Sequence, residues 1–486
     1  MSRPATAVPT TPAVPTLGFE SLDREVADMA LSVRGTLPAW IEGALLRTAP
    51  GQFEIGGRSF NHWFDGFAML HRFALRDGAV TYSNRFLRSQ ARERALAEGR
   101  IAFREFGTDP CWSLFRRVVA TFRNERTDNC GVSINTVAGE VLAFTETPLP
   151  MRFDPETLET LGVSELAPGD ADMAVAHPHF DAARGRHYTF DVTFGRRSRY
   201  RLIAIDAVTG ARETLHEIEV DCPAYMHSFG MSERYLVLVE YPLVVNPLSV
   251  LLSGKPFMAN FRWEPARGTT FHVVDKDTGR AVARIRGDPG FAFHHVNAYE
   301  EGDELVVDMI MHPDGTVMEK LQLASLRSGE PVNLTGILTR TRLDLRAQTA
   351  RHERLSGEPI ELQRIHYERA AGQRHRYVWG VGQTSGAIFL DRIVKIDCET
   401  GGALAWTEPG CFPGEPVFVP APGEGAEDAG VLLSIVLDTA ARRSFLLVLD
   451  AASLSELARA EAPHHIPFGF HGNFLPSRTT RAGLHA

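Results

Sequence analysis

The chain reads as an all-β protein that repeats four-stranded sheets around an axis, and three observations predict this. Strand-like stretches dominate. HYTFDVTF (187–194), RYLVLVEY (234–241), ELVVDMI (304–310), RYVWGVG (376–382), VLLSIVLD (431–438) and SFLLVLD (444–450) are short, rich in β-branched and aromatic residues, and bounded by turn formers. A turn recurs as well. FDPETLETLG, IDAVTGAR, VDKDTGRA, IDCETGGA and LDAASLSE open on Asp154, Asp206, Asp275, Asp397 and Asp450, and three of the five carry Gly where positive φ is needed. Their intervals are 52, 69, 122 (two of 61) and 53 residues, the period of a four-stranded propeller blade with insertions. One such turn is only a hairpin; five at blade spacing favour a propeller over a sandwich.

The third observation is four histidines at matching spacing. His177, His227, His294 and His471 each end or follow a strand-like stretch, at gaps of 50, 67 and 177 residues, the last being three times 59. Ligands on a metal-binding helix lie roughly three to five residues apart. Here the gaps are those of whole supersecondary units. Inner strands of a propeller line its channel, so one imidazole from each of four units would make a metal site on the axis. The plainer alternative is that these are structural histidines among the 18 in the chain.

In chain order, residues 1–17 (MSRPATAVPTTPAVPTL) are rich in Pro, Thr and Ala and lack a continuous apolar core, so they are expected to be a disordered tail before a single domain over 18–486. Residues 91–103, 111–122 and 317–328 are the helical candidates. No run of about 18 apolar residues occurs, as a membrane-spanning helix needs; PLVVNPLSVLL (242–252) comes nearest and is broken by Asn246 and Pro247. Two apolar stretches suit a membrane surface instead. Residues 112–122 set Trp112, Leu114, Phe115 and Phe122 beside Arg116 and Arg117, and residues 243–261 carry Leu248, Leu251, Leu252, Phe257 and Met258 with only Lys255 charged. Ordinary core packing explains both equally well.

Net charge is 51 − 60 = −9, with no basic cluster, which argues against nucleic acid as a partner. No protein partner is suggested either. Cysteines 111, 130, 222, 398 and 411 are odd in number, widely spaced and without a CxxC pair, which points to reduced thiols in the cytoplasm.

The motifs themselves carry a resemblance. GALLRTAPGQFE, HWFDGFAMLHRF, TDNCGVSIN, AFTETPLPMRFDPETLETLG, AHPHFD, MHSFG, TFHVVDKDTG, FHHVNAYEEGDE, GEPVFVPAP and PFGFHG, in this order over residues 18–475, resemble the carotenoid cleavage oxygenases. The resemblance implies a seven-bladed β-propeller under a dome of loops and helices, with one Fe(II) per chain on the axis and an apolar tunnel. By motif position the ligands would be His177 of AHP, His227 of MHSFG, His294 of FHHVNAYE and His471 of GFHG; His179 and His295 fall outside the pattern. Glu146 of FTETP, Glu361 of IELQRI and Glu415 of GEPVF would accept imidazole N–H groups, leaving one histidine supported otherwise. Thr48-Ala49 and ELQRI depart from the family's usual Asn-Gly and Glu-Phe-Pro. The second departure bears on Glu361.

The implied reaction is dioxygen-dependent cleavage of a conjugated carbon–carbon double bond in a carotenoid or apocarotenoid, giving aldehyde or ketone products such as apocarotenals or retinal. No catalytic residue beyond the iron ligands is required. Stilbene cleavers share the fold but tend to carry Lys before the glutamate where this chain has Thr145, and retinoid isomerisation fits least. A non-catalytic propeller scaffold around a zinc ion is the reading from another class, though structural zinc sites usually contain Cys.

Overall fold

The computed structural model describes residues 15–110, 125–423 and 425–477. The expected strands form where the β-branched runs lie: Arg186–Thr193, Tyr235–Glu240, Glu304–Met311, Tyr377–Gly382, Gly430–Asp438 and Arg443–Asp450. Helices are few and short. The 91–103 candidate is Gln90–Glu98, capped by Ser89 and stopped by Gly99 in the left-handed region. The 317–328 candidate breaks into Val317–Lys320 and Leu323–Leu326. The 111–122 candidate and Cys111 lie outside the described residues. Of the expected tail, residues 1–14 lie outside the described residues. Residues 15–17 begin a 3-10 helix, Pro15–Phe19, because Leu17 and Phe19 are buried and Phe19 packs edge-on against Trp63, Phe389 and Phe468.

Six large antiparallel sheets are present among the described residues, and the seven-stranded one divides at its long strand Thr349–Arg364, which gives seven meanders. The first runs outward from Gly43–Gln52 through Phe67–Arg76 and Ala79–Phe86 to Val26–Ala30. Its inner edge is the last strand among the described residues, Gly472–Pro476. The seventh takes Ser32–Gly35, from near the N-terminus, as its outermost strand. Both ends of the chain are thus stitched into sheets made mainly of the opposite end.

Apolar clusters join each meander to the next. Leu46 and Leu70 of the first meet Ile134 and Met151 of the second. Val137 and Leu142 of the second meet Ile203 and Ile205 of the third. The largest cluster spans the third, fourth and fifth through Leu202, Val237 and Val307. Ile310 and Leu338 of the fifth meet Ile360 and Val378 of the sixth, and Trp379 of the sixth stacks on Phe418 of the seventh at 4.6 Å. Leu433 and Val448 of the seventh meet Leu45 and Phe73 of the first.

The Asp-led turns all occupy one place, the outer hairpin of a meander. Asp206 Oδ1 accepts from Val208 N, Thr209 N and Thr209 Oγ1, Asp154 and Asp275 do likewise in their own hairpins, and Asp450 Oδ1 accepts from Ser453 N and Ser453 Oγ. The residue four after each Asp has positive φ. It is Gly at 210, 279 and 401, but Leu158 and Leu454 elsewhere, at φ 59 and φ 58. Asp344 opens a sixth such outer turn that the motif did not reveal, with Gln348 at φ 57 in the glycine position, and Asp438 makes the same turn between Gly430–Asp438 and Arg443–Asp450, with Arg442 at φ 52.

Candidate metal centre

Each of the four histidines stands at the start of an inner strand. His471 precedes Gly472–Pro476, His227 precedes Gly230–Met231, His294 precedes His295–Glu301, and His177 lies between Met173–Ala174 and His179–Asp181. They belong to the first, fourth, fifth and third meanders. Glu361 sits at the inner end of Thr349–Arg364 in the sixth, and Glu415 between the two inner strands Cys411–Pro413 and Val417–Pro420 of the seventh. Glu146 follows Glu140–Phe144 of the second meander.

The structure brings all seven together. One ligand atom from each histidine lies within 4.8 Å of every other. His177 Nε2 is 3.1 Å from His227 Nε2, and His294 Nε2 is 3.0 Å from His471 Nε2. Behind them, Nδ1 of His227 lies 2.6 Å from Glu146 Oε1, Nδ1 of His294 2.7 Å from Glu361 Oε2, and Nδ1 of His471 2.7 Å from Glu415 Oε1. Among the described residues no carboxylate lies behind His177. His295 and His179 are committed elsewhere: His295 Nδ1 to Ser228 Oγ, and His179 to Tyr367 and the carbonyl of Phe229.

The donor chemistry fits a divalent ion. A carboxylate that accepts Nδ1–H leaves Nε2 with a bare lone pair. Two bare lone pairs at the His294–His471 distance cannot hydrogen-bond and repel, and a cation between them removes the conflict. Metal–nitrogen bonds of about 2.1 Å put adjacent ligand nitrogens of an octahedral ion about 3.0 Å apart, which matches both close pairs. Burial, and then the neighbouring imidazoles, hold His177 well below the ordinary histidine range. Burial also lowers His471, to about 4, although Glu415 opposes it. Burial likewise lowers His294, so His177, His294 and His471 are neutral, as ligands must be. Burial alone would raise Glu361 and Glu415, but His294 and His312 for the first, and Arg364 and His471 for the second, outweigh it and keep both ionised.

Three groups that the sequence reading did not single out brace the carboxylates. Tyr225 donates its hydroxyl to Glu146 Oε1 at 2.6 Å, His312 Nε2 lies 3.0 Å from Glu361 Oε1, and Arg364 forks onto Glu415. Tyr225 was within reach of the sequence, since it stands two residues before His227 and shares its side of an extended chain. Nothing local marks His312 or Arg364.

An apolar cavity opens onto the histidines. Phe64, Val132, Phe293, Leu362 and Phe470 line it beside His227, His294 and His471, and Trp63, Val317, Leu321, Leu334 and Leu390 come from loops and short helices between strands. Phe64 lies against His227 with ring centroids 6.5 Å apart.

Comparison with known proteins places this geometry. A family model described as "Retinal pigment epithelial membrane protein" (RPE65) matches residues 19–476. The mitochondrial carotenoid-cleaving dioxygenase of Macaca fascicularis is 35% identical, covering 93% of this chain and 93% of its own. The carotenoid isomerooxygenase of Galleria mellonella is 35% identical over 95% of this chain and 96% of its own. The beta,beta-carotene 15,15'-dioxygenase of Rattus norvegicus is 32% identical, with 93% and 90% covered. Among solved structures, cobalt-substituted Synechocystis apocarotenoid oxygenase superposes with a TM-score of 0.85 at 27% identity, covering 96% of this chain and all of that one. The chain has the all-β fold of that oxygenase and belongs to the RPE65/carotenoid oxygenase family.

Proposed function

We propose that this chain is a non-haem iron(II) dioxygenase that cleaves one conjugated double bond of a carotenoid or apocarotenoid into two carbonyl products. The observation that carries the reading is the convergence of four Nε2 atoms, three of them oriented from behind by buried carboxylates, at the end of an apolar cavity. The names of the relatives, which cleave carotenoids or oxygenate apocarotenoids, supply the substrate class.

In this reading the seven meanders are seven propeller blades. The order of apolar contacts supports it, since the seventh meander packs on the first. His177, His227, His294 and His471 hold the iron, and Glu146, Glu361 and Glu415 fix the tautomer and rotation of three of the rings. Bound iron(II) supplies the electron transfer that makes dioxygen reactive toward an electron-rich alkene. The residues do the rest. Phe64, Phe293, Phe470 and Leu362 exclude water and hold the polyene, at about 25 cal/mol per Å² of apolar surface covered. The depth of the cavity selects the bond. One alkene and one dioxygen give two carbonyl groups with no proton gained or lost, so no side chain is needed as acid or base.

The substrate is lipid-soluble, and the chain has a face for reaching it. The helix Pro247–Leu252 buries none of its residues; Leu248 is 64% and Leu252 68% exposed. We place the enzyme in the cytoplasm with this helix at a membrane surface. No helix among the described residues is long and apolar enough to span one.

Incubation under ¹⁸O₂ with β-carotene, a series of apocarotenals and resveratrol, with products identified by mass, tests the proposal. Labelled carbonyl products from a carotenoid or apocarotenoid, with iron near one per chain, are expected. Turnover of resveratrol alone would make it a stilbene cleaver, and tightly held zinc without turnover would make it a scaffold.

A further inference from the structure

One irregular stretch braces two of the four imidazoles. At the end of Thr349–Arg364, Glu361 faces Val381 and Arg364 faces Trp379 on the neighbouring strand Tyr377–Gly382. Three steps on one strand oppose two on the other, so the strand carries one extra residue, a bulge. In regular strand, residues three apart point to opposite faces. The extra residue puts Glu361 and Arg364 on the same face. Leu362 absorbs the distortion at φ 48, and its N–H donates to Glu361 Oε2 at 2.9 Å.

From that shared face the two side chains diverge. Glu361 turns to His294. Arg364 donates from Nε to Glu415 Oε1 at 2.9 Å and from Nη2 to Glu415 Oε2 at 3.1 Å, and Nη2 also donates to the carbonyl of Gly472. Gly472 in turn donates its N–H to Glu415 Oε2 at 2.8 Å. A guanidinium fork fixes the plane of a carboxylate. Here that carboxylate fixes the ring of His471, and the fork also grips the residue after His471.

We propose that Arg364 is a positioning residue for the metal centre: through Glu415 and the Gly472 carbonyl it sets the orientation of His471, so the bulge at 361–364 anchors His294 and His471 together. The inference rests on the four histidines being the metal ligands.

The test uses Co(II) alone, added to the full metal-free chain against a competing chelator, with the visible ligand-field spectrum recorded. Arg364→Met is expected to weaken cobalt binding ~10–100-fold, the usual loss for a partner behind a metal ligand, and to shift the ligand-field bands. Arg364→Lys keeps the charge but not the fork and should fall between. Arg340→Met is the control. Arg340 makes a more deeply buried fork to Asp308, at 2.9 and 2.8 Å, without touching a ligand histidine or its carboxylate. It should lower the melting temperature of the metal-free chain and leave cobalt affinity and spectrum as in the wild type. If Arg364→Met behaves like Arg340→Met, the proposal is overturned. Should Arg364→Met not fold, Arg364→Lys is read by the same two measurements: wild-type values overturn the proposal, and weaker binding with shifted bands supports it. If the wild type takes up no cobalt, or His471→Ala takes up as much as the wild type, the ligand assignment itself falls, and this inference with it.

Discussion

The inner and outer edges of the meanders obey different rules. At the outer hairpins the same device returns six times, an Asp whose carboxylate accepts backbone N–H groups and a residue four later with positive φ. At the inner edge four meanders contribute a histidine and two a glutamate, Glu361 and Glu415, and each of these side chains meets another from a different meander. Each outer turn solves a local problem in isolation. The inner-edge residues solve one shared problem. A change at the inner edge should therefore cost function before fold, and a change at the outer edge stability without function.

The sharpest break of that contrast is His227→Ala. We expect metal binding and cleavage to be lost while the circular dichroism of the β-sheets stays near wild type. Full activity in this variant would remove His227 from the ligand set. A smaller effect separates the braced histidines from the unbraced one. Glu361→Gln should weaken metal binding by ~10–100-fold, and by less than His294→Ala, because the imidazole remains but its Nδ1–H loses a charged acceptor. No carboxylate variant is expected to affect His177 in this way, and metal titration of Glu146→Gln, Glu361→Gln and Glu415→Gln checks whether three such steps exist.

The loops beside the inner edge add a pH dependence. His62 is buried, and burial lowers its pKa to about 3. Its Nδ1 accepts from Phe64 N at 3.2 Å and its Nε2 lies 3.4 Å from the carbonyl of Met318, so it is held as the neutral Nε2–H form. Phe64 lines the cavity. His187 is likewise lowered by burial, to about 4. Both folded values lie below the unfolded value of about 6.5. The unfolded chain therefore binds more protons between about pH 6.5 and 4, and stability is full above that window and falls within it on acidification, by at most about 1.4 kcal/mol per pH unit for each group. Denaturant melts at pH 7, 5.5 and 4.5 measure the slope. His62→Asn, which cannot charge, should flatten it, and an unchanged slope would remove His62 from the account.

How much of this was legible in the sequence follows the same division. Asp206-Ala-Val-Thr-Gly210 could be read directly, because the cap and the glycine lie within five residues. Asp344-Leu-Arg-Ala-Gln348 makes the same turn and was missed, because neither Thr or Ser at its third position after Asp nor Gly at its fourth marks it. At the site, spacing and motif point to His177, His227, His294 and His471, whereas only the family resemblance points to Glu146, Glu361 and Glu415. Arg364 was not, because its role depends on a bulge that reverses the side on which it points, and a two-residue period assigns it to the wrong face. His312 was not, because 49 residues separate it from Glu361 and only the fold joins them.

The mildest test is at the outer edge. Gln348 sits at φ 57 where Gly210, Gly279 and Gly401 serve the other turns. A side chain in the left-handed region costs roughly 1–2 kcal/mol against the right-handed one, and glycine avoids this at the cost of a more flexible unfolded chain. Those two effects oppose each other, and glycine also removes the bonds from Arg284 N to Gln348 Oε1 and from Gln348 Nε2 to the Leu345 carbonyl, so Gln348→Gly should change stability by less than about 0.5 kcal/mol. Gly210→Ala should lower it by about 1 kcal/mol, with Leu166 Cδ2 lying 3.0 Å from where the added Cβ would stand. Neither should move cobalt affinity or cleavage rate. If Gln348→Gly instead altered metal binding, the two edges would be mechanically coupled through the fifth meander, and the separation of shared inner chemistry from local outer chemistry would fail there.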